Sequence, residues 1–561
     1  VSGLSDGEEY GRPGDGAAHT GARRDGDKKR NNEVIEQVRA ATRKVHATRA
    51  RMIGLIAAGL VLATSLPAQA ARFSFDDVIT KARERAAEPY KPPREIPEFM
   101  QKLGYNEFRG IRFDIDQSLW RDAGSRFEIQ LVPAGAYYRR PVQINLVDAG
   151  GAKPVPFRKD FFVSDNEDLA RRLPSNLGFA GFKLTYPLNR RTMRDAVLTF
   201  AGASYFRGVG KGNEFGLAAR GLALDTGLMS GEEFPQFVEY WLERPAKQAE
   251  SMRFYALLDS KRVTGAYQFS VYPGAPTRVD VTVVLFMRER AELVGVAPLT
   301  SMFLYGENTS RPVGQWRPEV HSSDGLLIQN GNGEWLWNPL HNPKALHVQA
   351  FSVVGVKGFG LMQRDTRFDS YQDSEAWYDR RPSAWISPKG DWGPGRVMLI
   401  EIPARDATNE NVVAFWAPPR PAAAGDRFDL EYRIDFGGPE VERTPPARVI
   451  NTFVGRGEEF GGDAAARAYR LVVDFAGDAI AKLPADVLPM ADVSAQEGGA
   501  VIEQFLTYLE DSRVWRLSIL ARPAEGRPLA LRAALAVDGK ALSETWTYTL
   551  PEPNTIFGDK Q

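Results

Sequence analysis

Outside the first seventy residues the chain holds three histidines, His321, His341 and His347, while the whole chain holds 71 carboxylates and no cysteine. That inventory removes whole classes of chemistry. Without cysteine there is no thiolate nucleophile, no disulfide and no cysteine-ligated metal. No H-E-x-x-H run is present, so the two-histidine helix face of a zinc protease is missing. The residue types allow a metal set of the histidines with Glu319, but no ligand spacing supports one, and no metal is expected. No G-x-S-x-G elbow offers an esterase serine. Gly208 opens a G-x-G-x-x-G-like spacing in "RGVGKGNEFG", but it lies between strand-like segments. A phosphate cradle needs a helix after it, so this is read as a loop. No motif calls for a cofactor. What remains is carboxylate chemistry, and the sequence alone does not choose among 71 acids.

The segments that must position such a site are strands. "RFEIQLVP", "PVQINLVD", "GAYQFSVYP", "TRVDVTVVLFM" and "RVMLIEIP" alternate apolar with polar residues, as half-buried antiparallel strands do. Turn residues punctuate them at Ala149-Gly150-Gly151, Asn330-Gly331-Asn332-Gly333 and Pro388-Lys389-Gly390. A short amphipathic segment, Phe75 to Ala87, precedes the strands, and no βαβ rhythm follows. Prolines 418, 419, 421, 445 and 446 flank one last strand, Phe428 to Phe436, and place a linker at 438–447. Beyond it, "AYRLVVDF", "VIEQFLTYL", "RVWRLSILA", "LALRAALAV" and "ETWTYTL" alternate again at short intervals. That spacing predicts an immunoglobulin-like sandwich over 448–561, after a larger β-sandwich over 71–437. The fold class is therefore all-β.

The start of the chain is of another kind. Residues 1–51 are rich in Gly, Asp, Arg and Lys, with little apolar content, and are expected to be disordered. Arg49 and Arg51 then precede an apolar run, Met52 to Leu66, and Ala68-Gln69-Ala70 gives a small-x-small cleavage pattern. The run is shorter than the ~20 residues that span a bilayer. A signal peptide at 52–70 and export are expected, as part of a long leader starting at Val1 or with Met52 as the start, and with no stable membrane insertion after cleavage. Basic and acidic side chains cancel at 71 each, so no long-range field draws the protein to nucleic acid or to an anionic membrane.

Long ordered stretches carry a resemblance. They include "LGFAGFKLTYPLN" from Leu177, "GASYFRGVGKGNEFGLAARGLALDT" from Gly202, "SGEEFPQFVEYWLERP" from Ser230 and "YALLDSKRVTGAYQF" from Tyr255. They continue with "GVAPLTSMFLYGEN" from Gly295, "GNGEWLWNPLHNP" from Gly331, "YDRRPSAW" from Tyr378, and "LSETWTYTLP". From Phe73 to the C-terminus the chain resembles the periplasmic glucan biosynthesis family, the OpgG/MdoG and OpgD type. The resemblance implies a large, galactose-mutarotase-like β-sandwich followed by an immunoglobulin-like domain, in the periplasm. It implies a β-1,2-glucan partner, acted on by hydrolysis or transglycosylation, or else bound by a scaffold that assists the membrane glucosyltransferase.

The resemblance also nominates residues. The family's acid is an aspartate in a T-N-D-N segment after a strand ending in I-E-I-P; this chain reads "LIEIPARDATNENVVAFW" and places Glu410 there. Its proton-relaying tyrosine matches Tyr378 in "WYDRRPSAW", where packing is the competing role. Its base aspartate directly follows a histidine, but "RPEVHSSDGL" puts Ser322 in that place, and a hydroxyl does not replace a carboxylate as base. Asp324, two residues on, is the substitute. For sugar binding, flat aromatic faces beside polar edges nominate Trp335, Trp337, Trp385 and Trp392 with Glu334, and Trp335 and Trp337 share a face if their segment is a strand. Core packing is the competing role for each tryptophan. Arg317, Arg380 and Arg381 are nominated to bind sugar hydroxyls or hold carboxylates. Glu410, Tyr378 and Trp335 are expected together in one groove of the large sandwich.

Overall fold

The alternating segments become strands because each can bury one face only by pairing with neighbours and meeting a second sheet. The computed structural model describes residues 73–442, 445, 447–457, 468–484, 486–496 and 498–551. The expected disordered extension and signal peptide lie outside the described residues. Two large sheets dominate. One runs in the order 128–133, 179–186, 195–201, 205–208, 218–220, 294–301, 412–417, 394–401, 347–354. The other includes the antiparallel meander 236–243, 252–259, 263–272, 277–287, which continues through 427–437 to 383–389, 358–362, 325–329 and 335–339. Their inner faces meet in an aromatic layer: the Phe200 ring lies 5.3 Å from Phe254 and 5.2 Å from Phe269, both edge-on. The all-β sandwich expected from the alternation is the fold found.

The helix Phe75–Ala87 covers part of the outer face of the second sheet. Its buried residues Val78 and Ala82 join Trp241, Tyr255, Leu257 and Ala266. Asp77 accepts the Ser74 backbone N–H at 2.7 Å, closing the first turn.

Farther along that sheet the outer face is buried too. In strand Trp335–Pro339, Leu336 faces the main core, while Trp335 and Trp337 face a second core shared with the C-terminal strands. Strand Ser383–Lys389 splits the same way, with Ala384 and Ile386 to one side and Trp385 to the other. Double-sided burial is why apolar residues stand at consecutive positions in these strands, Trp335-Leu336-Trp337 and Ala384-Trp385-Ile386, rather than alternating with polar ones. Among the C-terminal strands, 448–456, 469–476, 514–523 and 499–509 form one sheet, and 490–496, 529–537 and 545–550 face it across Leu471, Leu517, Leu531 and Trp546. Strand Thr545–Leu550 also pairs in parallel with Trp335–Pro339, at Leu336↔Thr545 and Trp337↔Trp546. The described residues fall within one compact unit, Arg72–Gln561.

A buried rivet joins the two cores. Arg364 donates to both Glu544 oxygens, at 2.7 and 3.0 Å, and to Glu442 at 2.7 Å, with its guanidinium 3.5 Å over the Trp337 ring. Burial lifts the Glu544 carboxyl above the usual range, and Arg364 opposes that rise.

Candidate active site at the end of the first sheet

Glu410 sits on the loop between strands Pro394–Glu401 and Val412–Ala417. Asn411 beside it is buried and fixes the loop: its side chain accepts the Phe303 N–H at 2.9 Å and donates to the Phe303 and Ile402 carbonyls. Asn342 clamps the same loop from outside, accepting from and donating to the Ala404 backbone at 2.9 and 2.8 Å. On this rigid base the Glu410 carboxylate stays partly open, with its side chain 18% exposed. Arg207 donates to Oε1 at 2.8 Å and the Thr300 hydroxyl donates to Oε2 at 2.7 Å.

Tyr378 and Ser322 belong to the same neighbourhood through Arg381. Arg381 donates to the Ser322 hydroxyl, and its guanidinium carbon lies 4.0 Å from the centre of the Tyr378 ring. Burial, reinforced by the positive field of Arg207, makes Arg381 easier to deprotonate than a free guanidinium. Burial pushes the Tyr378 hydroxyl up, against the pull of Arg381. A second link closes the circuit. Ser301, next to Thr300, shares a 2.8 Å hydrogen bond with Ser323, next to Ser322. Beneath lies a small core of Met302, Tyr305, Val320, Tyr371 and Tyr378. Two polar atoms here, Arg381 Nε and Asp379 Oδ1, are buried without a hydrogen-bond partner among the described residues.

Asp324 points elsewhere. Its Oδ2 accepts the backbone N–H groups of Arg364 and Asp365, and its Oδ1 lies 3.4 Å from His321 Nδ1. It lines a cavity of about 30 Å³ with Glu307, Glu319, His321 and Asp365, at the seam with Thr452. No contact of Asp324 reaches Glu410, Arg207 or Arg381 among the described residues. Burial lifts the Asp324 carboxyl, and burial with the Asp324 charge takes Asp365 to about 7. Burial opposes a charge on His321, but Asp324 and Glu319 outweigh it and raise it to about 9. His321 therefore does sit beside Glu319, at 2.8 Å, whereas His341 and His347 face a different carboxylate, Glu401.

The nominated tryptophans lie in cores. Trp337 and Trp385 are almost wholly buried and the half-buried Trp335 packs tilted against Trp385 at 5.9 Å, all in the core shared with the C-terminal strands. Trp392 packs 5.2 Å from Trp416 and 6.0 Å from Tyr432 in the main core. Trp335 therefore does not lie with Glu410 and Tyr378 on one wall; the seam it fills is buried by the C-terminal strands. Glu334 accepts from Arg532 and from the Thr545 hydroxyl, which ties it to that seam. Arg317 is held by the buried Asp373 and is 26% exposed. Arg380 is half exposed, over the Trp377 ring at 3.9 Å, and its carbonyl accepts the Glu214 N–H. Sequence reasoning missed Arg207 and Thr300, the two direct partners of Glu410. Arg207 stands inside a stretch that carries the family resemblance, but nothing in the chain's periodicity brings position 207 to position 410.

The fold and this site define an all-β protein whose polar site of carboxylate, arginines, tyrosine and serine lies at the end of a sandwich sheet. The family described as "periplasmic glucan biosynthesis protein, MdoG" matches residues 73–550, and the chain belongs to it. It is 44% identical over 506 residues to the glucans biosynthesis protein G of Ralstonia nicotianae, covering 88% of this chain and 99% of that protein. Its role is accordingly in periplasmic glucan biosynthesis. Among solved structures, an α-galactosidase from Lactobacillus brevis matches 39% of the chain and 29% of its own, at 9% identity and a TM-score of 0.22. A galactose mutarotase related enzyme from Lactobacillus acidophilus matches 43% of the chain and 96% of its own, at 8% identity and a TM-score of 0.19. Among the described residues no helix is long and apolar enough to cross a membrane.

Proposed function

We propose that this protein acts on β-1,2-linked glucan in the periplasm, as a glycoside hydrolase or transglycosylase, with Glu410 as the proton donor to the leaving oxygen. One observation carries the reading. The positions resembling the family's acid, relay and base, 410, 378 and 322, come from three separate segments, and Arg207, Arg381 and the Thr300–Ser301 pair link them through hydrogen bonds and a ring contact. Glycoside cleavage needs a carboxylic acid at the bond to be broken, and Glu410 is the partly open carboxyl of that network. Both of its oxygens now accept hydrogen bonds, so donation requires substrate to displace Arg207 from Oε1. Arg207 is half exposed and free to swing onto a sugar hydroxyl.

A second reading has its own observation. Ser322 occupies the base position and is engaged by Arg381, and among the described residues no carboxylate hydrogen-bonds Arg381 in its stead. That favours a glucan-binding scaffold assisting the membrane glucosyltransferase. The deciding experiment incubates purified protein with linear β-1,2-glucan and follows product length and anomeric form by chromatography and NMR. Glu410→Gln keeps the shape but has no acidic proton, and is expected to lower turnover about 100- to 10,000-fold with binding retained. Unchanged turnover in that variant removes Glu410 from the mechanism. Binding without any turnover by wild type establishes the scaffold.

A further inference from the structure

His341, His347 and Glu401 come from three different elements and meet at one point. His341 follows the strand Trp335–Pro339, His347 opens the strand His347–Val354, and Glu401 closes the strand Pro394–Glu401 directly opposite His347. Both histidines turn the same nitrogen to the same oxygen: Nδ1 of His341 and Nδ1 of His347 lie 3.1 and 2.9 Å from Glu401 Oε2. The other carboxylate oxygen is held by the backbone N–H of His341 at 2.9 Å, which fixes the plane of the carboxylate. Glu401 is wholly buried, yet the cluster is not closed. Both imidazoles line a cleft of about 440 Å³, with Tyr305, Leu346, Arg405 and Tyr548 among its other walls.

We propose that His341 Nδ1, His347 Nδ1 and Glu401 Oε2 form a three-ligand site for a divalent transition-metal ion of the zinc class, with its fourth position facing this cleft. One ligand atom from each of the three residues lies within 4.8 Å of the others. Zinc bonds of about 2.0–2.2 Å in a tetrahedron set ligand-to-ligand edges of about 3.3–3.6 Å, and the two nitrogen-to-oxygen edges here, 3.1 and 2.9 Å, open to that spacing by a few tenths of an ångström. Three protein ligands and one open position is the pattern of zinc sites that keep an exchangeable ligand. The backbone hydrogen bond to Oε1 is the outer support such a carboxylate ligand needs. Binding requires each imidazole to offer its Nδ1 lone pair and carry its proton on Nε2, so any proton held at Nδ1 is released to solvent. The ion would fasten the 341–347 segment to the root of the loop that carries Glu410. Asn342 already reaches that loop at Ala404.

The competing occupant is a pair of protons, since two N–H···O bonds have the same lengths. Metal titration separates them. The untagged full chain, stripped with a chelator, is titrated with Zn²⁺ by calorimetry and with Co²⁺ by visible absorption. One tight equivalent with the intense bands of four-coordinate Co²⁺ is expected. His347→Gln, at a quarter-exposed position, is expected to weaken binding about 100-fold or more, since even outer partners of a metal site are worth about 10- to 100-fold. Glu319→Gln, in the other histidine–carboxylate cluster, is expected to leave it unchanged. No stoichiometric uptake, or wild-type affinity in His347→Gln, overturns the proposal. If His347→Gln fails to fold, X-ray absorption of the Zn²⁺-loaded wild type decides: two imidazoles are required, and one or none refutes the site.

Discussion

Replacing Glu307 by glutamine should make the protein more stable at pH 8 and flatten its dependence on pH. Glu307 is partly buried at the seam between the main sandwich and the C-terminal strands, where its carboxyl group accepts the Thr452 N–H. Glu319, Asp324 and Asp365 surround the same cavity, with His321 and Arg364 also in its lining. Burial, helped by those three charges and opposed by the Thr452 N–H, lifts the Glu307 carboxyl from 4.5 to about 9. The unfolded chain releases this proton near pH 4.5, whereas the folded chain keeps it to about pH 9. Folding therefore takes up a proton throughout that window, and stability falls as pH rises through it. At 1.36 kcal/mol per pH unit, the loss between pH 5 and pH 8 is at most about 4 kcal/mol from this group. His321 acts in the same direction from 6.5 to about 9, because its proton is also held more tightly in the folded state. Glutamine retains a carbonyl to accept the Thr452 N–H and has no proton to lose. Urea unfolding of both proteins at pH 5, 6.5 and 8 reads the effect, with the wild-type midpoint falling and Glu307→Gln falling less. A wild-type midpoint that is flat from pH 5 to 8, or an equal slope in the variant, refutes the reasoning.

Arg364→Met keeps the stem against Trp337 but leaves Glu544 buried without its cation, while Glu442 keeps Arg448; a loss of about 3–5 kcal/mol is expected in urea unfolding, and less than 1 kcal/mol would show the rivet to be dispensable. Trp392→Ala should lower stability by about 3–5 kcal/mol while glucan affinity, measured calorimetrically on the folded fraction, stays at the wild-type value. A selective loss of affinity would return Trp392 to the sugar site. Ser322→Asp places a carboxylate against Arg381 at the base position, and product formation from β-1,2-glucan should rise about 100-fold or more. No gain, in a folded variant, would mean that the missing base is not what limits the reaction.

The strands were legible because alternation is a local property. "TRVDVTVVLFM" reports its own half-buried face whatever lies beside it, and it forms the strand Thr277–Met287. The helix Phe75–Ala87 was legible for the same reason, from an apolar stripe of period 3.6. The resemblance nominates Glu410, Tyr378 and Asp324, and of these Asp324 is turned to His321 and the backbone of Arg364 and Asp365. The tryptophans show the limit. Trp335 and Trp337 do share a face of one strand, as their spacing requires, but spacing cannot say whether that face meets a sugar or another sheet. Strand Thr545–Leu550, some two hundred residues on, pairs beside them, and its Trp546 fills the core they face.

The sequence by itself determined the all-β class, the punctuation of its strands and the absence of thiol chemistry, since each follows from residue type and short-range period. Only the tertiary structure decided which charges meet. Arg207 reaches Glu410 across 203 positions and Arg364 reaches Glu544 across 180. Asp324, two residues from the base position, is turned to His321 and the backbone of Arg364 and Asp365. The reason is physical: an ion pair or a shared cavity is set by which strands lie side by side, and that order is a property of the whole core rather than of any segment.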